Sequence, residues 1–204
     1  MTWIETIGYK SAKGKLKAIY ERVKGPDNTV DNILMAHSLR PHTLEGHMTL
    51  YKYVLHHPAN TLPKWLLEAV GVYVSLLNAC DYCISHHYAG LRRLLLDDAR
   101  AENIFAALKA GEPKAAGEHL SNKECAALEY AALLTNDADK ISTETLDNMR
   151  AEGLSDGEIL EVNQVAAYFA YANRTVLGLG VNKEGDVIGL SPGTDSDPDN
   201  WGHG

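Results

Sequence analysis

Pro63-Lys64-Trp65-Leu66-Leu67-Glu68-Ala69-Val70-Gly71-Val72-Tyr73-Val74-Ser75-Leu76-Leu77-Asn78-Ala79-Cys80-Asp81-Tyr82-Cys83-Ile84-Ser85-His86-His87-Tyr88-Ala89-Gly90-Leu91-Arg92-Arg93-Leu94-Leu95-Leu96 has no internal proline, and how it divides decides the fold. As one continuous helix it would hold Glu68 about 18 Å from Cys80 along the axis, at ~1.5 Å per residue. A break at Asn78-Ala79 instead folds the chain back and lays Glu68 beside the first turns of a second helix starting near Cys80. Asn78 is a capping residue by type, and Asp81 favours a first helical turn. On that second helix Cys80, Cys83 and His87 share one face, since His87 stands at i+4 from Cys83 and i+7 from Cys80.

These residue types point to thiol chemistry. A Cys-x-x-Cys pair closes a disulfide with little backbone movement. The thiolate is the nucleophile, and it forms where a base, a positive charge or the free N–H groups of a helix N-terminus stabilise it. Lowering a thiol pKa from ~8.5 to ~7 raises the thiolate at neutral pH from a few per cent to about half. His87 can take or relay a proton, and Glu68 can orient the imidazole and stabilise its charged form. Two other readings compete: a zinc site in which Cys80 and Cys83 are joined by His86, His87 or Glu68, and a pair of inert core thiols. Structural zinc usually takes a second knuckle, and the remaining cysteine, Cys125, lies alone in an alanine-rich stretch suited to a small buried apolar group.

Outward from this segment the chain reads as all-α. Prolines 26, 41, 58, 63 and 113 punctuate the first half, none occurs between Pro113 and Pro192, and alternating β-branched runs are few. The spacing predicts helices over 11–24, 31–38, 41–57, 63–78, 80–96, 98–110, 121–136, 142–152 and 155–178. Ser121…Glu124 and Ser155…Glu158 match the capping box, Ser142 is a further N-cap, Pro41 and Pro63 suit the first helical position, and Gly111 and Gly153 end helices. Residues 1–190 form one domain on this reading, with a motif-bearing core at about 42–96. The polar stretch 191–204 is read as a mobile tail, with docking through Trp201 as the alternative.

The 204 residues are 45% apolar and 23% charged, as in an ordinary globular protein, and suffice for one sizeable core. A formal net charge of −8, with no Lys/Arg cluster, argues against a nucleic-acid or anionic-membrane surface. No signal-peptide pattern opens the chain and no stretch has the apolar length of a membrane span, so a cytoplasmic protein with a catalytic disulfide is expected. His86 points about 100° from His87 and is read as a packing or interface residue. The irregularly spaced His37, His42, His47, His56 and His57 are read as surface or core histidines. The apolar run Val165–Ala172 belongs to a helix buried within the subunit or against a neighbour.

Glu68, Asn78-Ala79-Cys80-Asp81-Tyr82-Cys83 and His87 together resemble the alkylhydroperoxidase AhpD / carboxymuconolactone decarboxylase superfamily, and within it the uncharacterised peroxidase-related branch. The resemblance is clearest over 42–96 and weaker at 153–156, 173–174 and 178–181. It implies an AhpD-like helical bundle assembled into homo-oligomers, commonly trimers or hexamers. It also implies reduction of a small hydroperoxide without a bound cofactor or metal, with a dithiol or lipoyl-type donor restoring the thiols. By position, Cys83 would attack the peroxide, Cys80 would donate a proton and resolve the sulfenic acid, and Glu68 with His87 would form the relay. Well-known members carry a second histidine just before the second cysteine, where this chain has Tyr82; the relay is then shorter, or Tyr82 supplies a hydroxyl. Two alternatives remain: a dithiol–disulfide oxidoreductase acting on a peroxiredoxin or lipoyl partner, and a non-enzymatic helical oligomer binding zinc through Cys80, Cys83 and His87.

Overall fold

The computed structural model describes residues 2–192, 197 and 200–203. Its α-helices are α1 (Gly14–Val23), α2 (Asn32–Ala36), α3 (Pro41–Tyr51), α4 (Lys64–Leu77), α5 (Asp81–Leu95), α6 (Asp98–Ala110), α7 (Asn122–Asn136), α8 (Thr143–Ala151) and α9 (Asp156–Leu179), with short 3-10 turns between them. Among the described residues there is no sheet, and one isolated bridge pairs Pro192 with His203.

Local signals account for most helix boundaries. Ser121, Ser142 and Ser155 each accept from the backbone N–H three residues on, and Glu124, Thr145 and Glu158 close the reciprocal bond. Gly111 ends α6 in the left-handed region, where glycine carries no steric penalty. Pro41 takes the first position of α3, whereas Pro63 lies one residue outside α4 as its N-cap. The helix expected over 41–57 is α-helical only to Tyr51; Lys52–His56 continue as a single π turn that buries Lys52, Val54, Leu55 and His56. The apolar pattern runs through this widened turn, so periodicity alone does not reveal it.

Helix α4 is the centre of the bundle and packs against α5, α7 and α9. Every residue from Leu66 to Ser75 is buried, as expected of a helix apolar on all sides. Glu68 is the one carboxylate within that run. Val165, Ala166, Tyr168, Phe169 and Ala172 of α9 are buried inside the subunit, while Leu160, Tyr171 and Leu177 remain exposed. The α4–α9 contact depends on Gly71, because a Cβ there would collide with the Phe169 ring. Gly71→Ala is therefore expected to destabilise the fold by about 1–3 kcal/mol, through overpacking of a core with little room to relax. Urea unfolding measures this, and an unchanged midpoint would show that Phe169 can move aside.

The chain after α9 turns back over the bundle. The Asn32 amide donates to the carbonyls of Asn182 and Glu184 at 2.8 and 2.9 Å, and the Asn32 N–H donates to both Asp186 oxygens at 3.1 Å. Trp201 is 3% exposed and lies under the Arg22 guanidinium, 3.6 Å from the ring centroid. The expected mobile end is thus docked at Trp201; residues 193–196, 198, 199 and 204 of that stretch lie outside the described residues.

Candidate active site

The turn between α4 and α5 positions the cysteines. Asn78 is the C-cap of α4, and Ala79 takes a left-handed conformation with φ 54°. Ala79 N–H bonds Leu76 O at 3.0 Å and Cys80 N–H bonds Ser75 O at 2.9 Å, the paired bonds of a Schellman ending. An alanine in this conformation costs on the order of 1 kcal/mol relative to glycine. Cys80 is simultaneously the N-cap of α5, its carbonyl accepting from Ile84 N–H at 3.0 Å. The break expected at Asn78-Ala79 is present, and Asn78 caps the end of α4 rather than the start of α5.

With the chain reversed, Glu68 reaches α5. Its Oε2 accepts from His87 Nδ1 at 2.7 Å, and its carboxyl is 2% exposed. Gly90 permits this approach, since a Cβ there would stand 3.1 Å from Glu68 Oε1. The His87 ring meets Phe169 edge-on with centroids 4.5 Å apart, so α9 limits its rotation.

The sulfurs of Cys80 and Cys83 lie 2.9 Å apart, both unbonded and buried. The hydrogen bond from Cys83 holds the Cys80 thiol below its ordinary pKa, while the same bond and burial push Cys83 well above it. The two thiols therefore titrate as one coupled pair, with Cys80 on the acidic side. Asn173, fully buried on α9, tunes both thiols and fixes the turn: its amide donates to Ser75 Oγ at 3.1 Å and its oxygen accepts from Asn78 at 3.0 Å.

Only one of the two thiols faces open space. A cavity of about 40 Å³ is lined by Cys83, Glu68 and His87 but not by Cys80. Tyr51, Tyr168, Phe169 and His47 line it as well. Tyr51 and Tyr168 stack with centroids 5.5 Å apart, and burial pushes both hydroxyls well above their ordinary pKa, so they stay protonated.

Asp31, His86 and His203, which sequence spacing did not assign to the site, also border the cavity. Burial raises the Asp31 carboxyl to about 6 and lowers His203 to about 4; their side chains stand 4.0 Å apart. His86 is a cavity residue as well as a packing one. It stacks on Tyr82, and its Nε2, 3.6 Å from Asp186 Oδ2, makes no hydrogen bond. Its position at i+3 from Cys83 was the available signal, for that spacing also shares a helix face. The Tyr82 hydroxyl donates to Asp186 Oδ2 at 2.6 Å and accepts from Ile33 N–H at 3.3 Å, so it anchors the returning chain.

Of the histidines before the motif, His37, His47 and His56 are buried, and burial lowers the pKa of each. Cys125 is buried in the core, which raises its pKa. Among the described residues no three of His, Cys, Asp and Glu converge in a metal-holding arrangement.

No family model matches the chain, and no curated protein does. Solved structures match over most of its length. The alkylhydroperoxidase AhpD core of an uncharacterised peroxidase-related protein from Ralstonia eutropha JMP134 superposes with a TM-score of 0.73 at 16% identity, covering 89% of this chain and 91% of that one. An uncharacterised peroxidase-related protein from Silicibacter sp. TM1040 gives 0.68 at 23% identity, over 82% and 81%. A cysteine-to-alanine variant of the debrominase Bmp8, in complex with 2,3,4-tribromopyrrole, gives 0.69 at 16% identity, over 89% and 91%. The turn that sets Cys80 and Cys83 at the head of α5, beside a glutamate from the central α4, is thus carried on the AhpD-like fold, the all-α fold of this chain.

Proposed function

We propose that this chain is a thiol-dependent peroxidase that reduces hydroperoxides through Cys83 and Cys80, with Glu68 and His87 managing the proton. The observation that carries the reading is the pairing of a cavity-facing Cys83 with a second thiol 2.9 Å behind it. His87 takes the first proton of the pair, and transfer of the remaining shared proton to Cys80 leaves a thiolate on Cys83. That thiolate attacks the terminal peroxide oxygen; the O–O bond breaks, Cys83 becomes a sulfenic acid, and the departing alkoxide or hydroxide takes the proton held by Cys80. The Cys80 thiolate then attacks the Cys83 sulfur. The S–O bond breaks, and His87, held by Glu68, supplies the proton that releases water. Two thiols and one hydroperoxide yield a disulfide, an alcohol and water, and a dithiol or lipoyl-type donor returns the two electrons.

No organic cofactor or metal takes part in this scheme. Among the described residues no helix is long and apolar enough to cross a membrane. We place the protein in the cytoplasm as a homo-oligomer, in which the exposed Leu160, Tyr171 and Leu177 of α9 are candidates for subunit contact. The same thiol pair would serve a dithiol–disulfide oxidoreductase, and the debrominase among the structural neighbours carries its chemistry on this fold. The small cavity favours the peroxide: an engineered apolar cavity that binds benzene measures roughly 150 Å³, well above the room beside Cys83.

The test is titration with a slight excess of hydroperoxide followed by peptide mapping. The expected result is loss of two thiols per chain, a Cys80–Cys83 link, and Cys125 still reduced. Cys80 and Cys83 left unlinked would remove the redox assignment.

A further inference from the structure

Three residues of the chain's final stretch, Gly189, Leu190 and Ser191, border the thiol cavity together with His203. They belong to no helix and come from the segment that returns over the bundle after α9. Arg93 on α5 holds this segment in place. Its Nη1 donates to the Gly189 carbonyl and its Nη2 to Ser191 Oγ, each at 2.5 Å. Gly189 lies so close to α5 that a Cβ would stand 2.7 Å from Ala89 Cβ, and its φ of 88° is one that side chains avoid. On the other side Leu190 packs against Gly25, and His203 pairs with Pro192.

We infer that this returning segment is the specificity wall of the thiol site, sizing it for hydrogen peroxide and against bulky organic hydroperoxides. The inference rests on the peroxidase reading for its substrate and on the cavity for its selectivity. A volume of about 40 Å³ takes two or three water-sized groups. Hydrogen peroxide, with two oxygens, fits that room; the aryl group of cumene hydroperoxide does not. The lining is polar enough for such a guest. His47 and His86 border the cavity, and His47 Nδ1 and His86 Nε2 are buried without a hydrogen-bond partner. Cys83, Glu68 and His87 sit on helices packed into the core, whereas the Gly189–Ser191 wall is held by side-chain bonds and loop packing. The part of the lining that lies outside the helices is thus the Gly189–Ser191 wall with His203.

Arg93→Ala and Leu190→Ala, separately and combined, test this in the full-length chain. Single-turnover oxidation of Cys83 is followed with hydrogen peroxide and with cumene hydroperoxide. In parallel, Cys83 is alkylated with iodoacetamide and with N-phenylmaleimide and read by peptide mapping. The unaltered protein is expected to favour hydrogen peroxide by about 100-fold or more, and the double variant to narrow that ratio at least about tenfold by gaining rate with the bulky peroxide. The alkylation ratio should shift in the same direction. Equal rates with both peroxides in the unaltered protein, or ratios unmoved in the variants, overturn the inference. Loss of rate with both reagents would mean damage to the site and would also overturn it. If neither peroxide reacts while the alkylation ratio shifts as expected, the wall stands and the peroxidase reading falls.

Discussion

Cys83→Ser is expected to lower peroxide turnover by at least about 10⁴-fold, because nothing else in the cavity wall replaces the nucleophile. Serine is close in size to cysteine, and the side chain is buried on the third residue of α5, so the fold should survive. Cys80→Ser should behave differently. Cys83 can still meet the peroxide, but no resolving thiol stands behind it, so the reaction should stop after one equivalent with a sulfenic acid that dimedone traps. Cys125→Ser should leave turnover unchanged, since that thiol sits in the core away from the cavity. Mass spectrometry of the three variants after peroxide treatment decides the assignment. A dimedone adduct on Cys80 in Cys83→Ser, with turnover retained, would reverse the roles of the two thiols.

Glu68→Gln and His87→Ala are each expected to slow single-turnover oxidation by about 10²–10⁴-fold, the usual contribution of a positioned acid–base group. The structural reason is the 2.7 Å bond between them, made by a carboxyl almost wholly removed from water. Glutamine keeps the shape of Glu68 but presents an amide in place of the carboxyl, so the hydrogen bond that orients the imidazole is weakened. Alanine at position 87 leaves that carboxylate buried without its partner, which costs stability as well as rate. Thermal unfolding of both variants separates the two effects. The pH dependence adds a further check. Cys80 is held below its ordinary thiol pKa by the hydrogen bond from Cys83, so the rate should already rise with pH below the ordinary thiol range. Unaltered rates in both variants, measured below the thiol pKa, would take the relay out of the mechanism.

Much of the fold was readable from local chemistry. The capping serines, the proline gaps and Gly111 mark helices that need little tertiary information, and the expected helices are present within a few residues except that over 41–57, which is α-helical only to Tyr51. The π turn at Lys52–His56 escaped because an extra residue in one turn leaves the apolar pattern nearly intact. Within the site, Glu68, Cys80, Cys83 and His87 were legible because three sit on one helical face and the fourth follows once the helix is broken. Asp31, Asp186 and His203 were not legible. They lie outside the regular helices with no periodicity: Asp31 borders the cavity from the N-cap of α2, His203 from the returning chain, and Asp186 sits behind it against Tyr82 and His86. Asn173 is a similar case, since an asparagine in an apolar helix gives no sign of the turn it will bind. His86 was hidden by comparison with its neighbour: set against His87 it points elsewhere, but set against Cys83 it lies on the same side.

Cys80 closes the end of one helix with its N–H and opens the next with its carbonyl. Both backbone groups are therefore committed along the chain, while the buried side chain meets Cys83 across 2.9 Å. Joining the two sulfurs asks them to approach by roughly 1 Å. Placed in the middle of a helix, such a shift would strain a ladder of hydrogen bonds; at this junction it falls on the side chains and on the few bonds of a single turn. If the pair cycles as proposed, oxidation and reduction would alternate while α4 and α5 keep their register, a durability that the position of the first cysteine would provide before any reductant arrives.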